Sequence, residues 1–309
     1  MKIDDIDAFV AVMRCQSISL AAQELGLTQP AITRRVQSFE EALGVQLLDR
    51  NSKPPKPTDL GKRVHEQCNA VLREIDILCE LAAVDFPPAG NIRLGLTQGI
   101  GELVALPVLA ELKKNWPDVH PLMATGSGGQ LMLERLERGE LDAAVLFLPT
   151  GAALPKNFHG EKLLKSKLIV VGRKDEWNKR QYSLEQCNSK GWVLNPDGCG
   201  FRAGLKRTLA MKNLSLLVNL DTYSRAVQLQ SIVQGMGLGL FPETFLHGND
   251  WSDQLHRVNV INFKPVIELW LVYGKALGRL QDPAREFGKY IAHFMLKLNS
   301  SQRGAPGHD

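Results

Sequence analysis

The chain has 309 residues, 44% of them hydrophobic, and a formal net charge of only +4. That is apolar surface enough for two or three folded domains, and too little net charge for the whole-chain balance to name a partner. The five cysteines, Cys15, Cys68, Cys79, Cys187 and Cys199, form no CxxC pair, and "MKIDDIDAFV" is not a basic start followed by an apolar run. A reducing, cytosolic setting therefore fits better than a disulfide scaffold, export or a membrane span, which would need ~20 apolar residues.

Charge is distributed unevenly. Acids outnumber bases up to Leu27, whereas between Thr28 and Arg63 the bases Arg34, Arg35, Arg50, Lys53, Lys56, Lys62 and Arg63 outnumber the acids. Just before this basic region Ile18, Ala21, Ala22 and Leu25 share one helical face, and Gly26 permits a sharp turn. Thr28 suits the N-cap of a second helix, Pro30 its first turn, and Ile32, Val36 and Phe39 its buried stripe. Gln29, Thr33, Arg34 and Gln37 then lie away from the stripe. Arginine pairs with guanine edges or phosphates, glutamine reads adenine, and a helix start attracts phosphate, so this face suits a DNA groove. A helical hairpin with a solvated polar face has the same local pattern, and the residues beyond Gly44 separate the two.

"VQLLDRNSKPPKPTDLGKRV" reads as two short extended runs around a basic connection, a hairpin wing that places Arg50, Lys53 and Lys56 beside the DNA backbone. From Asp59 to Val84, Leu60, Val64, Cys68, Val71, Ile75, Leu78 and Ala82 recur at steps of four and three, a coiled-coil seam that would join two subunits and pair their recognition helices.

Residues Ile6 to Gly61 resemble the DNA-binding domain of LysR-type transcriptional regulators. The resemblance is carried by "IDAFVAV", Ala21 and Ala22, "LGLTQPAITRRV", "FEEALGVQLLDR" and "PTDLG", in order. Two positions depart from the family pattern: Gln16 stands where glycine is usual, and Asp49 where phenylalanine commonly follows leucine. The resemblance implies that Gln29, Pro30, Thr33 and Arg34 approach an operator and that Asp59–Val84 is the linker helix.

After "DFPPAGN", short apolar runs alternate with helical segments: "IRLGL", "ELVALPVLAELKKN", "VHPLMA", "GGQLMLERLERG" and "LDAAVLF". A second series runs from "KLIVVG" through "GLGLF", and "IELWLVYG" with a helix over 282–298 returns to the first. This is α/β alternation in two sub-domains, with crossovers expected near Pro149 and Phe263. "GNIRLGLT", "LPVLAELKKNWPDV", "GELDAAV" and "IVQGMGLGLFP" resemble the periplasmic-binding-protein-like effector domain of the same family. In such folds a ligand lies beyond the carboxyl ends of strands. That selects Thr97 and Gln98, Thr125 and Ser127 in "TGSGG", and the loop from Asn195 to Phe201. Phe147, Phe201 or Tyr223 would cover an apolar body, and the hydroxyls and helix-start amides would hold a carboxylate. Glycine, serine and threonine in these loops also serve as plain turns and caps.

The expected fold is thus α/β: a winged helix-turn-helix over 1–58, a linker helix and hinge over 59–90, and an effector domain over 91–299. Its sub-domains are expected at about 91–163 with 265–299, and at about 164–264, with a disordered tail at 300–309. Cys199, beside Arg202, offers a thiol alternative in which oxidation is the signal. No nucleophile–base pair, phosphate motif or metal-ligand spacing of histidines appears, so no catalysis, metal or cofactor is expected. The expected partners are double-stranded operator DNA in inverted repeat, a small organic or aromatic acid, a second or fourth copy of the chain, and RNA polymerase.

Overall fold

The computed structural model describes every residue except 50–51, 53–54, 83–85, 247–253, 275–276 and 301–309, together with the side chains of 80, 81, 127, 299 and 300. The chain divides into two compact units, Met1–Val84 with Arg138–Glu140, and Asp85–Glu137 with Leu141–Asp309.

The first unit opens with α1 (Ile3–Cys15), α2 (Ile18–Glu24) and α3 (Gln29–Leu43). Ser17 and Thr28 cap the second and third, their hydroxyls accepting from the Leu20 and Ala31 amides. Gly26 and Gly44 take the left-handed conformation that ends α2 and α3. Phe9, Ala21, Ala22, Ile32, Val36 and Phe39 form one buried core, with the Phe9 and Phe39 rings 5.4 Å apart. Gln16 closes α1 with a φ of 51°, left-handed backbone that favours glycine, which accounts for the glycine usual at this position in the resembled family.

The wing is a minimal antiparallel pair, β1 (Leu48–Asp49) with β2 (Lys56–Pro57). It is anchored by Glu40, a buried carboxylate at the end of α3 that accepts from the Leu47 amide at 2.7 Å and the Leu48 amide at 3.1 Å. α4 (Asp59–Ala82) begins directly after it. Thr58 ties the two together, donating its amide to the Leu47 carbonyl at 2.9 Å and accepting from the Gly61 amide at 2.9 Å. A Cβ on Gly61 would lie 2.2 Å from that same carbonyl oxygen, so the glycine of "PTDLG" is required by packing.

The expected seam on α4 divides. Cys68, Val64 and Leu72 pack into the core of their own unit, which corrects the placement of Cys68 in a subunit interface. Leu60, Val71 and Leu78 remain exposed, Leu78 by 67%.

The second unit holds one long sheet ordered β4-β3-β5-β11-β6-β9-β7-β8, with β10 also paired to β6. Its strands are β3 (Gly90–Thr97), β4 (Val119–Ser127), β5 (Ala143–Pro149), β6 (Phe158–Arg173), β7 (Trp192–Leu194), β8 (Val218–Asp221), β9 (Leu238–Pro242), β10 (Leu255–Val258) and β11 (Val266–Gly274). The helices are α5 (Gln98–Asn115), α6 (Gly129–Glu137), α7 (Leu184–Lys190), α8 (Gly200–Ala210), α9 (Arg225–Val233) and α10 (Gln281–Ser300). β6 belongs to both halves: through Lys167 it pairs with β11, and from Leu168 onward with β9. The first crossing between halves is therefore inside β6 and not near Pro149, because this one unbroken strand of sixteen residues carries the chain across. The return passes through Pro265, whose carbonyl accepts from the Leu168 amide at 2.9 Å. Asn299 and Ser300 belong to α10, and the expected disordered tail beyond them lies outside the described residues.

Candidate functional site

Two surfaces invite chemistry, one in each unit. On the first, α3 projects its N-terminal half from the core formed by Ile32, Val36 and Phe39. Gln29 is exposed and its amide donates to Ser19 at 2.9 Å, bracing α3 on α2. Pro30 sits in the first turn and is exposed. The hydroxyl of Thr28 is the helix cap, and that of Thr33 donates to the Gln29 carbonyl at 2.9 Å, so both shape the helix. Gln37 is half-buried. Arg34 is exposed with no ion pair or hydrogen bond among the described residues, whereas its neighbour Arg35 is held by Asp4 at 3.1 Å. One guanidinium is thus kept for the protein and the other presented outward. Lys56 on the wing is exposed as well. The other two wing residues expected to meet DNA, Arg50 and Lys53, lie outside the described residues.

The second surface is a cleft of about 50 Å³ between the two halves of the α/β unit. It is lined by six of the expected residues, Thr97, Gln98, Phe147, Asn195, Phe201 and Tyr223. Thr125 is exposed and does not line it, because β4 continues through Ser127 where the sequence suggests a loop. Ser127 is likewise not among the lining residues, and its side chain is outside the described set.

Four helix starts meet at this cleft: α5 at Gln98, α6 at Gly129, α8 at Gly200 and α9 at Arg225. Each leaves amides without an intrahelical acceptor and a partial positive charge. Gly99 sits under the Phe245 ring, where a Cβ would meet a ring carbon at 2.4 Å, so backbone approaches the aromatic wall directly. Phe147 forms edge contacts with Phe201 at 5.5 Å and with Phe245 at 5.7 Å. Thr97 precedes α5 without capping it by its side chain, which leaves its hydroxyl for the cleft.

Sequence reasoning missed Arg225, Gln228, Phe245 and the β9 segment Leu240–Pro242. Arg225 donates to the Phe245 carbonyl at 3.2 Å and lies 4.0 Å from Glu102, supplying a cation at the rim. A capping serine, Ser224, before an apolar helix is the only local signal that could have found it.

Cys199 also lines the cleft, buried, with the Asn195 amide nitrogen 3.3 Å from its sulfur. Arg202 does not serve this thiol: its guanidinium pairs with Asp197 at 3.0 Å and with Asp221. Two other thiols are inert by burial, which pushes Cys68 up to about 11 and Cys187, with help from Glu185, up to about 12. Burial first, then the neighbouring Cys199, raises the Tyr223 phenol above its ordinary value, so it stays a neutral donor. Among the described residues no acidic, histidine or cysteine cluster is arranged to hold a metal, and no helix is long and apolar enough to cross a membrane.

A family model described as "Bacterial regulatory helix-turn-helix protein, lysR family" matches residues 3–62, and one described as "LysR substrate binding domain" matches 87–294. The chain is 23% identical to the HTH-type transcriptional regulator CzcR of Bacillus anthracis over 83% of its length and 85% of that protein's. It is 27% identical to the hydrogen peroxide-inducible genes activator of Haemophilus influenzae, over 64% of this chain and 65% of that one. Among solved structures, full-length OxyR from Pseudomonas aeruginosa shares the fold with a TM-score of 0.73 at 19% identity, covering 94% of each chain. CbnR complexed with its target DNA has a TM-score of 0.61 at 15% identity, covering 95% of this chain and all of that one. With both domains matched in order along the chain, the protein belongs to the LysR family of transcriptional regulators.

Proposed function

We propose that this regulator acts in the cytoplasm, binds an inverted-repeat operator as a dimer or tetramer, and changes its action on RNA polymerase when a small organic acid enters the cleft. The observation that carries the ligand half is the meeting of four helix starts and Arg225 on an aromatic wall. Amides and a cation suit a carboxylate, and the rings suit a short apolar body. A volume of about 50 Å³ corresponds to roughly three to five water molecules, which favours a small aliphatic acid over an aromatic one. The operator half rests on Arg34, Gln29 and Lys56, exposed on one helix and its adjoining wing. Dimerisation rests on the apolar residues that α4 leaves uncovered, Leu60, Val71 and Leu78. A thermal-shift screen of the full-length protein with small acids tests the ligand, since a ligand stabilises the state it binds. No shift with any acid would refute this reading.

One observation favours a second reading, in which Cys199 is the sensor: its sulfur lies in the cleft. Cys199→Ser decides between them. A response to acid that survives the substitution supports the metabolite reading, and loss of an oxidant response with DNA binding intact supports the thiol.

A further inference from the structure

The orientation of the side-chain amides in the cleft is set by one atom of unambiguous chemistry. The Thr222 backbone oxygen only accepts, and the Gln228 amide group lies 2.7 Å from it, so the end of Gln228 that touches it is its nitrogen. The second hydrogen on that nitrogen points to Asn195 at 2.9 Å, which must answer with Oδ1. Asn195 is thereby forced to turn its own nitrogen to the Cys199 sulfur. Gln228 is 5% exposed and has spent both hydrogens, yet its Oε1 accepts from no described residue and is not sealed away from solvent. Since Gln228 lines the cleft, this oxygen is presented there.

Most of the other polar groups around it donate; half-buried Gln98 instead gives its amide nitrogen to Glu102 at 3.0 Å. Tyr223 brings a phenolic hydroxyl. Asn195 keeps one amide hydrogen, Arg225 brings its guanidinium, and α8 and α9 bring their first amides. A set of donors with one buried, unanswered acceptor fits an anion that itself carries a hydrogen to donate. A plain carboxylate would close the cleft over Gln228 Oε1 and leave it unpaired, which is the costly case. An ammonium donor would stand near Arg225, so a hydroxyl meets the requirement better.

We infer that the effector is a small hydroxy acid whose hydroxyl donates to Gln228 Oε1 while its carboxylate faces the helix starts and Arg225. This deepens the small-acid reading of the cleft and rests on it. The cleft volume, room for about three to five waters, matches a two- or three-carbon hydroxy acid.

The test is calorimetry on the full-length protein with three probes of nearly equal size: glycolate, acetate and methoxyacetate, the last keeping the oxygen and losing the hydrogen. Glycolate should bind at least tenfold more tightly than either. Gln228→Leu should abolish that preference. Equal binding of glycolate and methoxyacetate by the unaltered protein would overturn the inference and leave the small-acid reading standing. Absence of binding by all three, and by lactate and propionate, would overturn both. Because the probe series uses the unaltered chain, the inference stays open to refutation even where Gln228→Leu fails to fold.

Discussion

The exposed face of α3 and the cleft of the second unit are assembled in opposite ways. Thr28, Gln29, Pro30, Thr33, Arg34 and Gln37 come from a single stretch, and one helix places them all once its apolar stripe is buried. The cleft draws Thr97, Phe147, Asn195, Phe245 and the neighbouring pair Tyr223 and Arg225 from five separate segments, and no one segment implies the others. A contiguous surface needs a stable helix and little else. A composite one needs the entire fold behind it, so damage to distant packing should reach the cleft first.

The largest test of that contrast asks whether the two units fail separately. Phe9 and Phe287 are each fully buried in the core of their own unit. Phe9→Ala should destabilise the first by about 3–5 kcal/mol and Phe287→Ala the second by a similar amount. Two calorimetric transitions, each moved by one substitution only, are expected. One transition moved by both would mean that the units unfold together and that the contrast has no thermodynamic basis.

Next in size is Ile75→Glu on the uncovered part of α4, beside Val71 and Leu78. A charge between two apolar helices has no partner, and dimer affinity should fall about a hundredfold, or ~3 kcal/mol. Sedimentation equilibrium reads this directly, and an unchanged assembly state would place subunit contacts elsewhere.

A pair of smaller effects should cross. Arg34→Ala should weaken specific operator binding by about 1–3 kcal/mol at fixed salt and leave acid binding alone. Thr97→Ala should lower acid affinity about tenfold, ~1.4 kcal/mol, and leave operator binding alone. Either substitution affecting both ligands equally would indicate general unfolding.

The smallest effect concerns Gln16. Its left-handed backbone costs a side-chain-bearing residue about 1–2 kcal/mol, partly offset by the greater unfolded-state freedom of glycine. Gln16→Gly should therefore raise the stability of the first unit by about 0.5–1 kcal/mol in denaturant titration.

Much of the first unit was legible because its signals are local. Caps, a glycine turn and a four-three apolar spacing act within a few residues, so Thr28, Gly26 and the stripe through Phe39 announce themselves. Local spacing misled on α4, where the same periodicity serves two masters: Val64 and Cys68 face inward to their own core, and Leu78 faces out. Heptad-like spacing states that a face is apolar and does not state what covers it. In the second unit the strand ends pointed to Thr97, Gln98 and Asn195 by a general rule of open α/β sheets. Thr125 was lost because β4 runs past the residue where its apolar pattern stops.

By itself the sequence determined the order of elements, the helix-turn-helix with its capped and glycine-punctuated helices, and the α/β alternation beyond it, since these depend on periodicity and near neighbours. Only the tertiary structure decided which residues share the cleft. The crossing of β6 from one half-sheet to the other, the arrival of Arg225 and Phe245 at the rim of the cleft, and the bond from Gln228 to Asn195 each join positions far apart in sequence. Such pairings depend on strand order and on the buried demand that each donor find an acceptor, and neither is written in any short stretch of residues.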